Sequence, residues 1–216
     1  MIAKTPDEKA LAAVAALRPE RGGIRRVGLL GGSFNPAHEG HRYISLLALK
    51  QLALHEVWWL VSPRNPMKQA DDMAPFDARL SKARKMAAHP RLRVSAIEAE
   101  FGTCYTADTL KELKRRFPGV DFVWIMGADN LAQVSHWHRW TEIFTTVPIA
   151  IFDRPSYSLR SLSGLAAKRY RKNRLSPRQA RRLVGTPSPA WIFFPVRPHP
   201  ASATAIRSSR KAKRIK

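Results

Sequence analysis

Val27-Gly28-Leu29-Leu30-Gly31-Gly32-Ser33-Phe34-Asn35-Pro36-Ala37-His38-Glu39-Gly40-His41 is the stretch on which the reading of the whole chain turns. An apolar run of strand length, 27–30, meets two glycines, and a helical pattern then opens at Gly40 and runs through 40–54. Two glycines let the backbone approach a ligand closely. A helix N-terminus directs free amides and the positive end of its dipole at an anion. The arrangement reads as a seat for phosphate. His38 and His41, three residues apart, share one face of the first turn and can both donate to phosphate oxygens. The same letters also suit a glycine turn with two surface histidines, or two metal ligands without a third.

Outward from this turn, short apolar strands alternate with amphipathic helices. The pattern predicts strands over 57–61, 92–97, 122–126, 149–152 and 191–194, and helices over 76–88, 106–117 and 140–145. Runs apolar throughout, such as Val57-Trp58-Trp59-Leu60-Val61, are what a parallel sheet covered on both faces requires. The alternation predicts an α/β fold, a Rossmann-like doubly wound parallel sheet with helices on both faces. Ligands bind such sheets beyond the carboxyl ends of the strands, so the loops starting at Gly31, Ser62 and Gly127 should line the site. Residues 1–24 read as an N-terminal extension, with Thr5-Pro6-Asp7-Glu8 as a capping box opening a helix through Leu17. The main domain then covers 25–210, the basic stretch 168–182 is a surface helix or loop, and 211–216 form a basic tail.

The formal net charge of +22 attracts nucleotides, nucleic acids and anionic membranes alike. Its distribution is more telling. From Arg154 to Lys216 there are seventeen Lys and Arg and no Asp or Glu, so any carboxylate chemistry lies before Arg154. Cys104, the single cysteine, cannot pair within the chain, which fits a reducing cytoplasm, and it reads as a partly buried thiol without a histidine to activate it. No apolar run approaches the length of a membrane span, and the N-terminus lacks the pattern of a secretory signal. Neither a Gly-x-x-x-x-Gly-Lys-Ser/Thr loop nor a Gly-x-Gly-x-x-Gly fingerprint is present.

The turn resembles the signature of the adenylyltransferase superfamily, Gly-x-Phe-Asp/Asn-Pro followed by His/Thr-x-Gly-His. Within that superfamily the chain is most similar to the bacterial nicotinate-nucleotide adenylyltransferases, over about Arg25 to Arg210. Four further segments carry the likeness. Residues 63–68 resemble the loop after the second strand, with Lys68 in the place of a phosphate-holding lysine. Tyr105-Thr106-Ala107-Asp108-Thr109-Leu110 resembles Tyr-Thr-x-Asp-Thr-Leu, whose threonine touches the pyridine-bearing substrate; Thr106 is equally a candidate N-cap. Gly127-Ala128-Asp129 resembles a nucleotide-binding strand end in which Asp129 accepts from a ribose hydroxyl, or caps a helix. It is followed by Trp137-His138, which would lay an indole against the nicotinate ring. Ser202-Ala203-Thr204-Ala205-Ile206-Arg207 resembles the late Ser-Ser-Ser/Thr-x-x-Arg motif, with Ala203 in place of one hydroxyl.

The resemblance implies attack by the acceptor's phosphate oxygen on the α-phosphorus of ATP, with pyrophosphate leaving and no covalent enzyme intermediate. His38, His41, Lys68 and Arg207 would do the catalytic work. Gly31, Gly32, Ser33, Phe34, Gly127, Asp129, Ser202 and Thr204 would bind ATP, and Asn35, Thr106, Trp137 and His138 the nicotinate mononucleotide. Magnesium would arrive with ATP, held by phosphates and water rather than by protein ligands. Rival expectations are a relative acting on nicotinamide mononucleotide or phosphopantetheine, and a basic nucleic-acid binding protein. The first shares the turn and the late motif, and the second rests on the acid-free third of the chain. The sequence says nothing of the oligomeric state.

Overall fold

The computed structural model describes residues 24–63, 73–153 and 158–196. Seven strands form one parallel sheet: β1 (Arg25–Gly32), β2 (Glu56–Val61), β3 (Leu92–Ser95), β4 (Val120–Gly127), β5 (Ile149–Phe152), β6 (Arg174–Leu175) and β7 (Trp191–Phe194). Their spatial order is β3-β2-β1-β4-β5-β7-β6. Side chains alternate across the sheet, so Trp58 packs on one face and Trp59 on the other, both fully buried. One face is covered by α1 (Glu39–Gln51), α2 (Phe76–Met86) and α9 (Ala180–Leu183), which contribute Ile44, Ala48, Leu80, Ala83, Ala180 and Leu183 to its core. The other is covered by α3 (Ile97–Phe101), α4 (Thr106–Arg116), α5 (Ala128–Gln133), α6 (Trp140–Thr146), α7 (Ser158–Leu162) and α8 (Leu165–Arg169), through residues such as Leu110, Leu131 and Phe144. The doubly wound α/β expectation is met. The order reverses between β1 and β4, so a crevice opens beyond their carboxyl ends.

β1 runs in the middle of this sheet, paired with β2 on one edge and β4 on the other. Its glycines are part of that fit. A β-carbon on Gly31 would overlap the indole of Trp124, and one on Gly28 would lie 2.6 Å from the Ile125 side chain. At the opposite, amino-terminal end of the sheet the carboxylate of Glu56, 4% exposed, is held by the Arg25 guanidinium, by Arg93 at 2.7 Å and by the Trp58 indole N–H at 2.9 Å. Three strands are thereby tied at their starts.

Two elements depart from the sequence reading. The predicted strand 92–97 ends at Ser95, because Ser95 Oγ accepts from Ile97 N at 3.1 Å and turns the chain into α3. The basic stretch 168–182 is not one surface helix or loop. It divides into the end of α8, a 3-10 turn, edge strand β6, a second 3-10 turn and α9, with Tyr170, Ala180 and Leu183 buried beneath exposed cations. Pro177 starts a turn there that Ser176 caps, which prevents a continuous helix. The extension expected over 1–24 and the tail over 211–216 lie outside the described residues, apart from exposed Ile24.

Replacing Glu56 by Ala strands two cations and an indole donor, and should lower the unfolding free energy by about 2–3 kcal/mol. Urea denaturation checks this. Substrate KM values should be unchanged, because Glu56 lies at the far end of the strands from the crevice.

Candidate active site

The turn after β1 carries two imidazoles in a reciprocal cap. His38 is the N-cap of α1: its Nδ1 accepts from Gly40 N at 3.1 Å, while His41 Nδ1 accepts from His38 N at 3.2 Å. His41 N in turn donates to His38 O at 2.9 Å. A neutral imidazole has one donor and one acceptor nitrogen, so accepting at Nδ1 assigns the hydrogen of each ring to Nε2. The rings lie 3.8 Å apart between centroids, His38 buried and His41 half-buried. This narrows the expectation of free amides at the helix start. The amides of His38, Gly40 and His41 are spent inside the turn, and the turn instead presents imidazole donors to an anion.

Phe34 explains how the turn keeps its shape. Its backbone sits in the left-handed region at φ 45°, costly for a residue with a β-carbon, while its ring is buried and stacked on Trp59 at 5.1 Å and 14°. The ring also lies 4.8 Å from His41, so burial of one aromatic offsets the local strain and seats the second imidazole. Phe34 can offer a ligand only its backbone. Beneath, Trp59 Nε1 donates to Ser45 Oγ, which donates to His41 O at 2.8 Å. Asn35 is joined to the chain beyond β2, its Oδ1 accepting from Ala74 N at 3.3 Å.

Across the crevice, the two segments expected to meet the pyridine ring are brought together. The Tyr105 and His138 rings are 4.3 Å apart, and Arg139 bridges Asp108 at 3.0 Å and Glu142 at 2.8 Å. Trp137 is half-buried against the core and His138 is exposed. Thr106 is not a cap: Tyr105 is the N-cap of α4 and Thr106 its first helical residue. Asp129 is likewise not a cap, since Gly127 holds that place at the end of β4 and Asp129 lies in the first turn of α5. Cys104 is exposed, not partly buried. Lys68, Ser202, Thr204 and Arg207 lie outside the described residues.

The profile of the cytidylyltransferase-like family matches residues 29–209. The chain belongs to that family. It is 51% identical over 182 residues to a probable nicotinate-nucleotide adenylyltransferase of Parvibaculum lavamentivorans, covering 84% of this chain and 90% of that protein. A second so named, from Methylorubrum extorquens, is 46% identical over 183 residues, covering 85% and 99%. The chain is therefore a nucleotidyltransferase, as the resemblance implied. Among solved structures, a Plasmodium falciparum nicotinic acid mononucleotide adenylyltransferase complexed with NaAD superposes with a TM-score of 0.66 at 15% identity, over 85% of this chain and 83% of that one. At that identity the likeness is one of fold. Among the described residues of this family member, no cluster of three His, Cys, Asp or Glu could cage a metal, and no helix is long and apolar enough to cross a membrane.

Among the described residues, three buried ionisable side chains escaped the sequence reading: Glu56, Arg79 and Glu98. Arg79 stands on the apolar stripe of α2 beside Leu80 and Ala83, and a cation on that stripe was the available signal. Glu98, 6% exposed at the start of α3, is hydrogen-bonded to the Ser62 side chain, and burial pushes its carboxyl from 4.5 up to about 7. The folded state thus holds this proton more tightly than the unfolded chain. Its contribution to stability is complete below pH 4.5 and is lost as pH rises to about 7, at up to about 1.4 kcal/mol per pH unit. Urea denaturation at pH 5 and pH 8 should show wild type losing more stability across that interval than Glu98→Gln, which carries the neutral form at both.

Proposed function

We propose that this chain transfers the adenylyl group of ATP to the phosphate of nicotinate mononucleotide, giving nicotinate adenine dinucleotide and pyrophosphate. The observation that carries the reading is the pair of walls around the carboxyl ends of β1 and β4. One face bears the phosphate-seeking imidazoles of His38 and His41, and the other the aromatic wall of Tyr105, Trp137 and His138. A triphosphate suits the first wall and an electron-poor pyridine ring the second. The names of the relatives, all with about half their residues identical over nearly their whole length, support the same reaction.

The chemistry needs no protein nucleophile. A phosphate oxygen of the acceptor attacks the α-phosphorus, and the bond from that phosphorus to the bridging oxygen of pyrophosphate breaks. Catalysis is then positioning plus neutralisation of charge on the departing pyrophosphate. His41, the more open ring, donates from Nε2 to the phosphates. His38 supports it from below. Gly31, Gly32 and Ser33 supply backbone at close range, and Asp129 and Gly127 hold the nucleoside end of ATP. Lys68, Ser202, Thr204 and Arg207 are assigned to the outer phosphates on their motifs. Magnesium bound to the triphosphate would add charge neutralisation, held by phosphate oxygens and water rather than by protein ligands. A reducing, cytoplasmic setting accords with the lone, exposed cysteine.

Pyrophosphate release with ATP, magnesium and nicotinate mononucleotide tests the proposal, and the nicotinamide and phosphopantetheine acceptors should be turned over far more slowly. His41→Ala should cut kcat about 10²- to 10³-fold with ATP KM changed only several-fold, because its hydrogen bond strengthens as charge develops. Unchanged turnover in that folded variant refutes its role. Trp137→Ala should raise KM for the mononucleotide about 2- to 20-fold and leave ATP KM within twofold, as steady-state kinetics would show.

A further inference from the structure

Arg79 is 2% exposed, and among the described residues it forms no ion pair. Four of its five N–H groups go to main-chain carbonyls instead. Nε donates to Ala74 O at 2.9 Å, one terminal nitrogen to both Ser33 O at 2.7 Å and Ser62 O at 2.8 Å, and the other to Pro63 O at 3.0 Å. The Phe76 ring lies against the guanidinium at 5.4 Å. Burying a cation without a carboxylate is costly, and burial lowers the Arg79 pKa from its ordinary value. Neutral side chains could tie two loops together at less cost. What a planar guanidinium adds is a rigid fork that fixes several acceptors at set mutual angles.

The acceptors are not scattered. Ser33 follows the two glycines of the β1 turn; Ser62 and Pro63 are the exit from β2; Ala74 is where the chain enters α2, and it is joined from the other side by Asn35. Ser62 N also donates to Gly32 O at 3.0 Å, so the two loop starts are already in register. One side chain therefore fixes the phosphate turn against the exit of β2 and the entry to α2. We propose that Arg79 is a positioning residue for the ATP-phosphate half of the site: it sets the β1 turn against the chain leaving β2 and the chain entering α2, without touching substrate. This rests on the adenylyl-transfer reading and adds to it a residue that acts on one substrate and not the other.

The test compares wild type with Arg79→Lys and Arg79→Met, with kinetics normalised to folded protein and melting temperatures measured alongside. Lysine keeps the charge but is a single donor point that cannot hold four carbonyls in a plane. Both variants should lose 10- to 100-fold in kcat/KM for ATP, with KM for the mononucleotide within twofold of wild type, and lysine should not rescue. Calorimetric binding of a non-hydrolysable ATP analogue should weaken in parallel. That arm needs no acceptor, so it reads the proposal even if wild type proves inactive with nicotinate mononucleotide, which would instead count against the reaction. If the Arg79 variants do not fold, Phe76→Leu, which removes the ring beside the guanidinium and none of its hydrogen bonds, should weaken analogue binding 2- to 5-fold. Lower melting temperatures with an unchanged ATP arm, equal losses for both substrates, full rescue by lysine, or unaltered analogue binding by Phe76→Leu would each overturn the proposal.

Discussion

Enclosure of β1 governs this molecule. The strand has a hydrogen-bonded neighbour on each edge and a packed helical layer on each face, with glycines where the Trp124 and Ile125 side chains leave no room for a β-carbon. Its carboxyl end opens onto the crevice beside β4. Whatever chemistry the chain performs is therefore gathered there, and the turn from Gly31 to His41 must make an abrupt exit while offering groups to a ligand. The left-handed Phe34 and the two-histidine cap are how it does both.

The cap shows one interaction serving structure and function together. By accepting main-chain hydrogen bonds at Nδ1, the imidazoles satisfy helix amides that would otherwise need water or a ligand, and the same bonds commit their hydrogens to Nε2. Donor polarity is thus set before any substrate arrives. That is preorganisation of the kind phosphoryl transfer rewards, since rearranging a donor during reaction would cost part of the barrier lowering it provides. On the far wall, Arg139 joins α4 to α6 through Asp108 and Glu142, and holds the Tyr105 and His138 rings close.

Much of this was legible in the primary structure, for a physical reason. A strand buried on both faces must be apolar throughout, and a phosphate turn must combine glycine with nearby donors. Periods and local motifs record such demands directly, so β5 and β7 fall where the apolar runs place them, and His38 and His41 were named from their surroundings in the chain, whereas Thr106 and Trp137 were named from a family resemblance. The broken stretch 168–182 was not legible. Its cations dominate the composition, while its conformation is decided by the buried Tyr170 and Ala180 and a proline-led turn.

The sequence by itself determined the α/β class and the position of the glycine and histidine turn, because these follow from local patterns of burial and backbone freedom. Only the tertiary structure decided that Glu98 is a buried acid, and that Arg79 reaches carbonyls 16 to 46 positions away in the chain, apart from its nearer bond to Ala74. A charged letter carries no mark of where its side chain ends. Burial of a charge and the choice of its partners arise when distant segments pack, and those are properties of the assembled sheet and its two helical layers.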